Sequence, residues 1–389
     1  MLTEHFHNTQ KDTGHYSNDL RYVLSLQNTI AAFEEIKTWE GYAKTPLHSL
    51  DSMASDIGVK NIYYKDESSR FGLGSFKALG GTYGVLKFIH HALKKEIGDE
   101  VSMKDIHAGK YSEQISKYTV TTATDGNHGR SVAFGAKLFG CKCQIYIHSE
   151  VSSGRQKAME DLEATVNRVS GNYDESLQIC IEDAGKNNWY VISDTSYEGY
   201  TKYPRYIMAG YNVMAEEIID QIKDRPLPTH VFLQGGVGSF PGAICGYFWE
   251  KFPGNNIKFV VVESEYAPCL IRSAQNNQMT SVNIKQETMM AGLSCGEPSL
   301  LGWEILKSGA DDFITINDSS IPGLMRLLAE NNLKIEAGES SVAGLAGLIE
   351  SMEDQKIAKA MGLNKESIVL LFGTEGATDP DIYRSIISE

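Results

Sequence analysis

Short apolar runs alternate with helix-length amphipathic runs along nearly the whole chain, and few folds accommodate that rhythm. Ile62–Lys65, Tyr118–Ala123, Gln144–His148, Thr165–Val169, Tyr190–Ser193, His230–Gln234, Lys258–Glu263 and Ser367–Phe372 have strand length. Several are rich in Val, Ile and Tyr without a polar face, as expected of strands covered on both sides. Helical patterns fall between them, at Phe76–Ile97, His128–Phe139, Gly154–Leu162, Asp174–Lys186, Tyr203–Asp224, Ser239–Phe252, Ile321–Asn332 and Ser340–Asp354. A parallel strand pair needs a crossover connection, so this order predicts an α/β fold of open, mostly parallel sheets flanked by helices. Residues 1 to 40 read as a polar, irregular arm. No internal repeat or Pro/Ser linker divides the chain, so a second domain has to be an insertion in the first.

Composition narrows the function classes. At 389 residues and 42% hydrophobic, the chain has material for two cores. A net charge of −14 argues against nucleic-acid partners and polybasic membrane anchoring, both of which need clustered Lys and Arg. No apolar run approaches the ~18 residues of a membrane span, and the amino terminus lacks a secretory pattern. The expected setting is therefore cytoplasmic. Six scattered cysteines read as reduced thiols, with a Cys269–Cys295 pairing left open. Cys141 and Cys143 lie too close together for a zinc site, and no metal is expected.

Four segments carry chemistry. Lys77 stands between the turn Gly72-Leu73-Gly74-Ser75-Phe76 and an apolar helical run. Desolvation on one side would favour its neutral amine, which suits covalent chemistry with a carbonyl; the alternative is an ordinary first-turn lysine. Thr121 to Gly129, with Thr124, Asp125, Gly126, Asn127 and His128 at its centre, is a small-residue turn from strand to helix. Its N–H groups can receive a carboxylate and Asn127 a ligand hydroxyl, although Asp125 or Asn127 could equally be a helix cap. Gly235, Gly236, Val237, Gly238 and Ser239 follow another strand. This glycine nest suits one phosphate, since neither a Walker lysine nor the dinucleotide spacing is present; a bare packing turn is the alternative. Asp194 follows a strand end, where a base would face a ligand crevice, although an exposed Asx-turn residue is the alternative; Thr374 offers a hydroxyl after the last strand.

Taken in order, these segments resemble the fold-type II enzymes that use pyridoxal 5'-phosphate (PLP), relatives of the tryptophan synthase β-subunit and of the serine and threonine dehydratases. The match runs from about residue 40 to 380. Within that superfamily the sequence looks most like the diaminopropionate ammonia-lyases, on Lys65 to Phe71, Ala123 to Arg130, Ala291 to Pro298 and Phe372 to Gly376. The resemblance implies that Lys77 holds PLP covalently, with Phe76 beside the ring and Asn127 at its hydroxyl. It places the phosphate in Gly235 to Ser239 and Thr374 at the pyridine nitrogen. A hydroxyl there leaves the nitrogen largely unprotonated, which favours β-elimination.

Asp125 departs from the small neutral residue of ordinary dehydratases. A carboxylate in a carboxylate-binding loop is favourable only if it meets a cation, such as a β-ammonium group. The implied substrate is 2,3-diaminopropionate, with Thr124, Asp125, Gly126, His128 and Asp194 around it. Asp125 would serve the D-isomer and Asp194 the L-isomer, giving pyruvate and ammonia. A serine or threonine dehydratase on the same scaffold, or a catalytically silent PLP or amino-acid binder, are the alternatives. The resemblance also implies a large domain of residues 1–84 with 206–389, an inserted domain of 85–205, and a homodimer.

Overall fold

The apolar runs assemble into two separate sheets in a computed structural model that describes residues 2–12, 14–124, 126–171 and 173–388. Among these residues the larger sheet has seven strands. Its order is β1 (Leu2–His7), β10 (Asp312–Ile316), β9 (Lys258–Ser264), β8 (His230–Gln234), β11 (Ile368–Gly373), β3 (Asn61–Asp66) and β2 (Leu47–Ser49). The smaller sheet has four, ordered β6 (Thr165–Arg168), β5 (Lys142–Ile147), β4 (Thr119–Ala123) and β7 (Tyr190–Val191). Its pairs are all parallel. In the larger sheet only the edge pairs, β1 with β10 and β2 with β3, run antiparallel. Every residue of β4, β8, β10 and β11 is buried, which is why these strands show no polar alternation.

Each expected strand is present, with no bound moved by more than two residues. The expected irregular arm is not: residues 1 to 40 contribute β1 and the helices Asn18–Val23 and Leu26–Ile36. The β1 pattern was masked by its polar residues, yet His5 and His7 both bond the Asp312 carboxylate, at 2.8 and 3.0 Å. In the second helix, Ser25 and Asn28 form a reciprocal cap and Ala32 and Ile36 reach the core. β2 and β10 were also missed. The run expected over Tyr203–Asp224 is two helices, Lys202–Tyr211 and Val213–Gln221. They meet at Asn212, whose side-chain amide donates to Thr29 Oγ1 at 3.0 Å.

Two features place the chemistry. The Lys77–Ile97 helix packs against both the Lys202–Tyr211 helix and the Asn127–Phe139 helix at glycines. A Cβ on Gly80 would lie 2.3 Å from Tyr211, and one on Gly81 would lie 1.8 Å from Ser131 Oγ. Before that helix, a buried ionic network holds the turn at 67–72. Glu217 bonds Lys65 Nζ at 2.7 Å and Arg70 Nη2 at 2.8 Å, while Glu67 takes Arg70 Nε at 2.7 Å. All four side chains are essentially inaccessible to water. Losing one partner would strand a charge in the core, typically at a cost of ~3–5 kcal/mol.

Candidate active site

The singled-out segments converge at the carboxyl ends of parallel strands. Thr124 follows β4, Asp194 lies just beyond β7, the glycine segment follows β8, and Thr374 follows β11. In open parallel sheets that end faces the ligand crevice. Lys77 joins them because its turn is tied to the end of β11. Phe76 N–H donates to Thr374 O at 3.1 Å, and Gly376 N–H to Gly74 O at 2.9 Å.

Lys77 opens its helix, its N–H donating to Ser75 Oγ at 3.3 Å. Its Nζ donates to Asp194 Oδ2 and lies 5.8 and 6.0 Å from the ring centres of Phe76 and Tyr211. Burial alone would raise the Asp194 carboxyl, but the charges of His128 and Lys77 hold it well below the usual carboxylate range. Tyr211 Oη adds a donor to Asp194 at 3.4 Å. Phe76 is buried against Tyr211 and Phe240, with ring centres 4.8 and 4.9 Å apart.

The segment Gly235–Ser239 is a built concavity. Gly236 and Gly238 adopt φ of 55° and 95°, where a side chain would be strained. Its carbonyls are engaged outward: Gly236 O accepts from Cys269 Sγ at 3.7 Å and Val237 O from Ser299 N–H at 2.7 Å. Among the described residues, the N–H groups of Gly236, Val237 and Ser239 have no backbone acceptor, as an anion nest requires. Ser239 Oγ donates to Asp194 O at 2.6 Å and lies 3.0 Å from Ser299 Oγ, which ties the nest to the Asp194 segment.

Asp125 lies outside the described residues. Around it, the Thr124 hydroxyl accepts the N–H groups of Gly126 and Gly129, at 3.0 and 3.1 Å, so it shapes its own loop. His128 Nε2 faces Ile192 O at 2.8 Å, and its Nδ1 is 3.8 Å from Asp194 Oδ2. Burial lowers the pKa of its ring, while the charge of Asp194 opposes that shift and favours the protonated form. Asn127 opens the helix after Gly126 and donates its side-chain amide to Glu375.

Two buried hydroxyls bear on a cofactor. Thr374 Oγ1 and Ser340 Oγ have no hydrogen-bond partner among the described residues. A free hydroxyl at the end of β11, an anion nest at the end of β8 and a lysine amine between aromatic rings fit the ring nitrogen, phosphate and aldehyde of PLP. None of the six cysteines is in a disulfide.

The sequence reading gave no role to Tyr211, Ser299, Ser340, Glu339 or Glu375. Glu375 stood in a quoted motif, and its burial was the missing signal. Tyr211 looks like an ordinary helix residue until Gly80 brings its helix against that of Lys77.

The chain matches the family model for pyridoxal-phosphate dependent enzymes over residues 38–373. Diaminopropionate ammonia-lyase of Escherichia coli K12 is 38% identical over 357 residues, covering 90% of this chain and 88% of that protein. The Salmonella typhimurium enzyme is 37% identical over 379 residues, covering 94% of each. A crystal structure of the Escherichia coli enzyme with an aminoacrylate–PLP azomethine reaction intermediate superposes with a TM-score of 0.88 at 34% identity. That match covers 100% of this chain and 97% of that one. This chain belongs to the pyridoxal-phosphate dependent enzymes, in the diaminopropionate ammonia-lyase family.

Proposed function

We propose that the chain catalyses the PLP-dependent α,β-elimination of 2,3-diaminopropionate. Hydrolysis of the eliminated product then gives one pyruvate and two ammonia, with one water consumed. The observation that carries this reading is the contact of Asp194 with Lys77 beside the glycine nest. It pairs a carbonyl-reactive amine with a base held in its ionised form.

Lys77 would hold the cofactor, Gly235 to Ser239 its phosphate, Asn127 its ring hydroxyl and Thr374 its nitrogen, with Phe76 packed beside it. When bound, PLP supplies an electrophilic carbon for the substrate amine and a ring that takes up the electron pair left at Cα. With substrate in place, Lys77 Nζ would stand beside the reacting carbons, next to Asp194 Oδ2. Asp194 Oδ2 then accepts the Cα proton of the L-isomer, and Asp125 that of the D-isomer from the opposite face. Lys77 in its ammonium form would act as the general acid, giving a proton to the β-amine so that it leaves as ammonia. Thr124, Gly126 and His128 shape the loop that orients the substrate carboxylate. Asp125 favours a β-ammonium over a β-hydroxyl, which sets this reading above a serine or threonine dehydratase.

In this reading the four-stranded sheet belongs to an inserted domain of residues 85–205, and residues 1–84 with 206–389 form the larger one. The working form is a cytoplasmic homodimer. Among the described residues no helix is long and apolar enough to cross a membrane. The test is direct: the purified protein should carry the visible absorbance of lysine-bound PLP and form pyruvate from diaminopropionate. Lys77→Ala should abolish both, and retention of either sinks the assignment.

A further inference from the structure

Asn127 and Glu375 come from different sheets. Asn127 begins the helix that follows β4 of the smaller sheet, while Glu375 lies two residues past β11 of the larger one. Their side chains nevertheless meet, the amide nitrogen of Asn127 donating to Glu375 Oε2. Glu375 is itself firmly fixed. Its Oε1 accepts Ser340 N–H at 3.1 Å, its N–H donates to Ser341 Oγ at 2.7 Å, and its carbonyl accepts from the same hydroxyl. Gly338 N–H donates to Glu375 O at 2.9 Å, and a Cβ on Gly338 would lie 2.9 Å from Glu375 Cγ. The carboxylate is therefore held by the turn at 338–341 and aimed across the cleft.

We propose that Glu375 is the positioning residue for Asn127, fixing which end of that amide is presented to the ring oxygen of PLP. An amide side chain offers a donor end and an acceptor end of nearly equal shape, and it can flip between them. A carboxylate only accepts, so it holds the nitrogen end. One N–H of Asn127 is spent on Glu375, and the second remains for the ring oxygen. Reversed, the amide would turn its carbonyl toward an oxygen that carries negative charge.

The surroundings explain how a second acid is tolerated here. Glu339 is also buried, and burial together with the charge of Glu375 pushes its carboxyl upward. Arg155, from the Ser153–Glu160 helix, opposes that shift, and Asp379 adds to it. Arg130, one turn after Asn127, feels the charge of Glu375 as well. A carboxyl raised in this way carries its proton more readily, which eases the meeting of two buried acids.

This inference rests on the PLP reading, and its test separates the two. The protein is stripped of cofactor, reloaded with PLP, and characterised by PLP affinity in equilibrium dialysis and by the pH midpoint of its visible absorbance. Glu375→Gln permits the flip, because glutamine offers an N–H to the Asn127 carbonyl. It should weaken PLP binding about tenfold, the worth of roughly one charge-assisted hydrogen bond, and raise the absorbance midpoint as Asn127→Ala does. In the Asn127→Ala background, Glu375→Gln should change neither value further. Glu375→Asp, which keeps the carboxylate one methylene shorter, should fall between and serves if the glutamine variant does not fold. Wild-type affinity and midpoint in both Glu375 variants, or an equal further shift in the Asn127→Ala background, would overturn the proposal. A wild-type protein without the visible band would instead overturn the PLP reading beneath it.

Discussion

Lys77 donates to Asp194, and that contact helps keep the buried Asp194 carboxyl ionised. The folded carboxyl of Asp194 titrates below its unfolded value of about 3.9. Such a group contributes stability that is present above the unfolded value and lost as pH falls through the folded one. Asp194→Asn should therefore lower the thermal midpoint of the cofactor-free protein by a nearly constant amount from about pH 5 to 8. The gap should close only below about pH 4, at a scale of ~1–3 kcal/mol. A gap that closes instead near neutrality would mean that Asp194 is not ionised beside Lys77. Lys77 and Asp194 stood out in the sequence, one between a glycine turn and an apolar helical run and the other at a strand end, and the structure brings the two side chains together. Glu375 was not, because its importance arises from burial and from a partner 248 positions away.

The elements that carry the site depend on supports from the neighbouring strand. Glu263, near the end of β9, is fully buried, and its two oxygens accept the N–H groups of Leu270 and Ile271 at 2.8 and 2.7 Å. It also lies under the nest, where a Cβ on Gly235 would meet Glu263 Cγ at 2.6 Å. Burial pushes its carboxyl up to about 8, despite the two backbone donors. A raised folded value means that the stabilisation is complete below the unfolded value of about 4.3 and is lost as pH rises through about 8. Thermal midpoints should thus decline from about pH 5 to 9, and Glu263→Gln should flatten that decline while lowering stability at pH 5. An unchanged slope in the variant would assign the decline to another group. At this scale the sequence was legible wherever a strand is buried on both faces, as in β8 and β11. It was opaque at β1, where Thr3, His5 and His7 conceal an edge strand whose partner is Asp312 to Ile316.

At the scale of the whole molecule, the site is where the two sheets are joined. Lys77 to Asp194, Asn127 to Glu375, Ser239 to Asp194, and Ser152 to Asp379 at 2.5 Å each link the 119–200 region to the rest of the chain. The sequence pointed to mostly parallel sheets but not to these ties, whose partners stand 117, 248, 45 and 227 positions apart. If the account is right, one cleft positions both bases around a single substrate carbon, and the leaving group is an amine. The most direct test is product stoichiometry with PLP-loaded protein, measured separately on L-diaminopropionate, D-diaminopropionate and serine. The account predicts one pyruvate and two ammonia from each diaminopropionate isomer, with serine turned over at least about tenfold more slowly. Serine turned over as fast as the diamine, or a single ammonia per pyruvate, would contradict it.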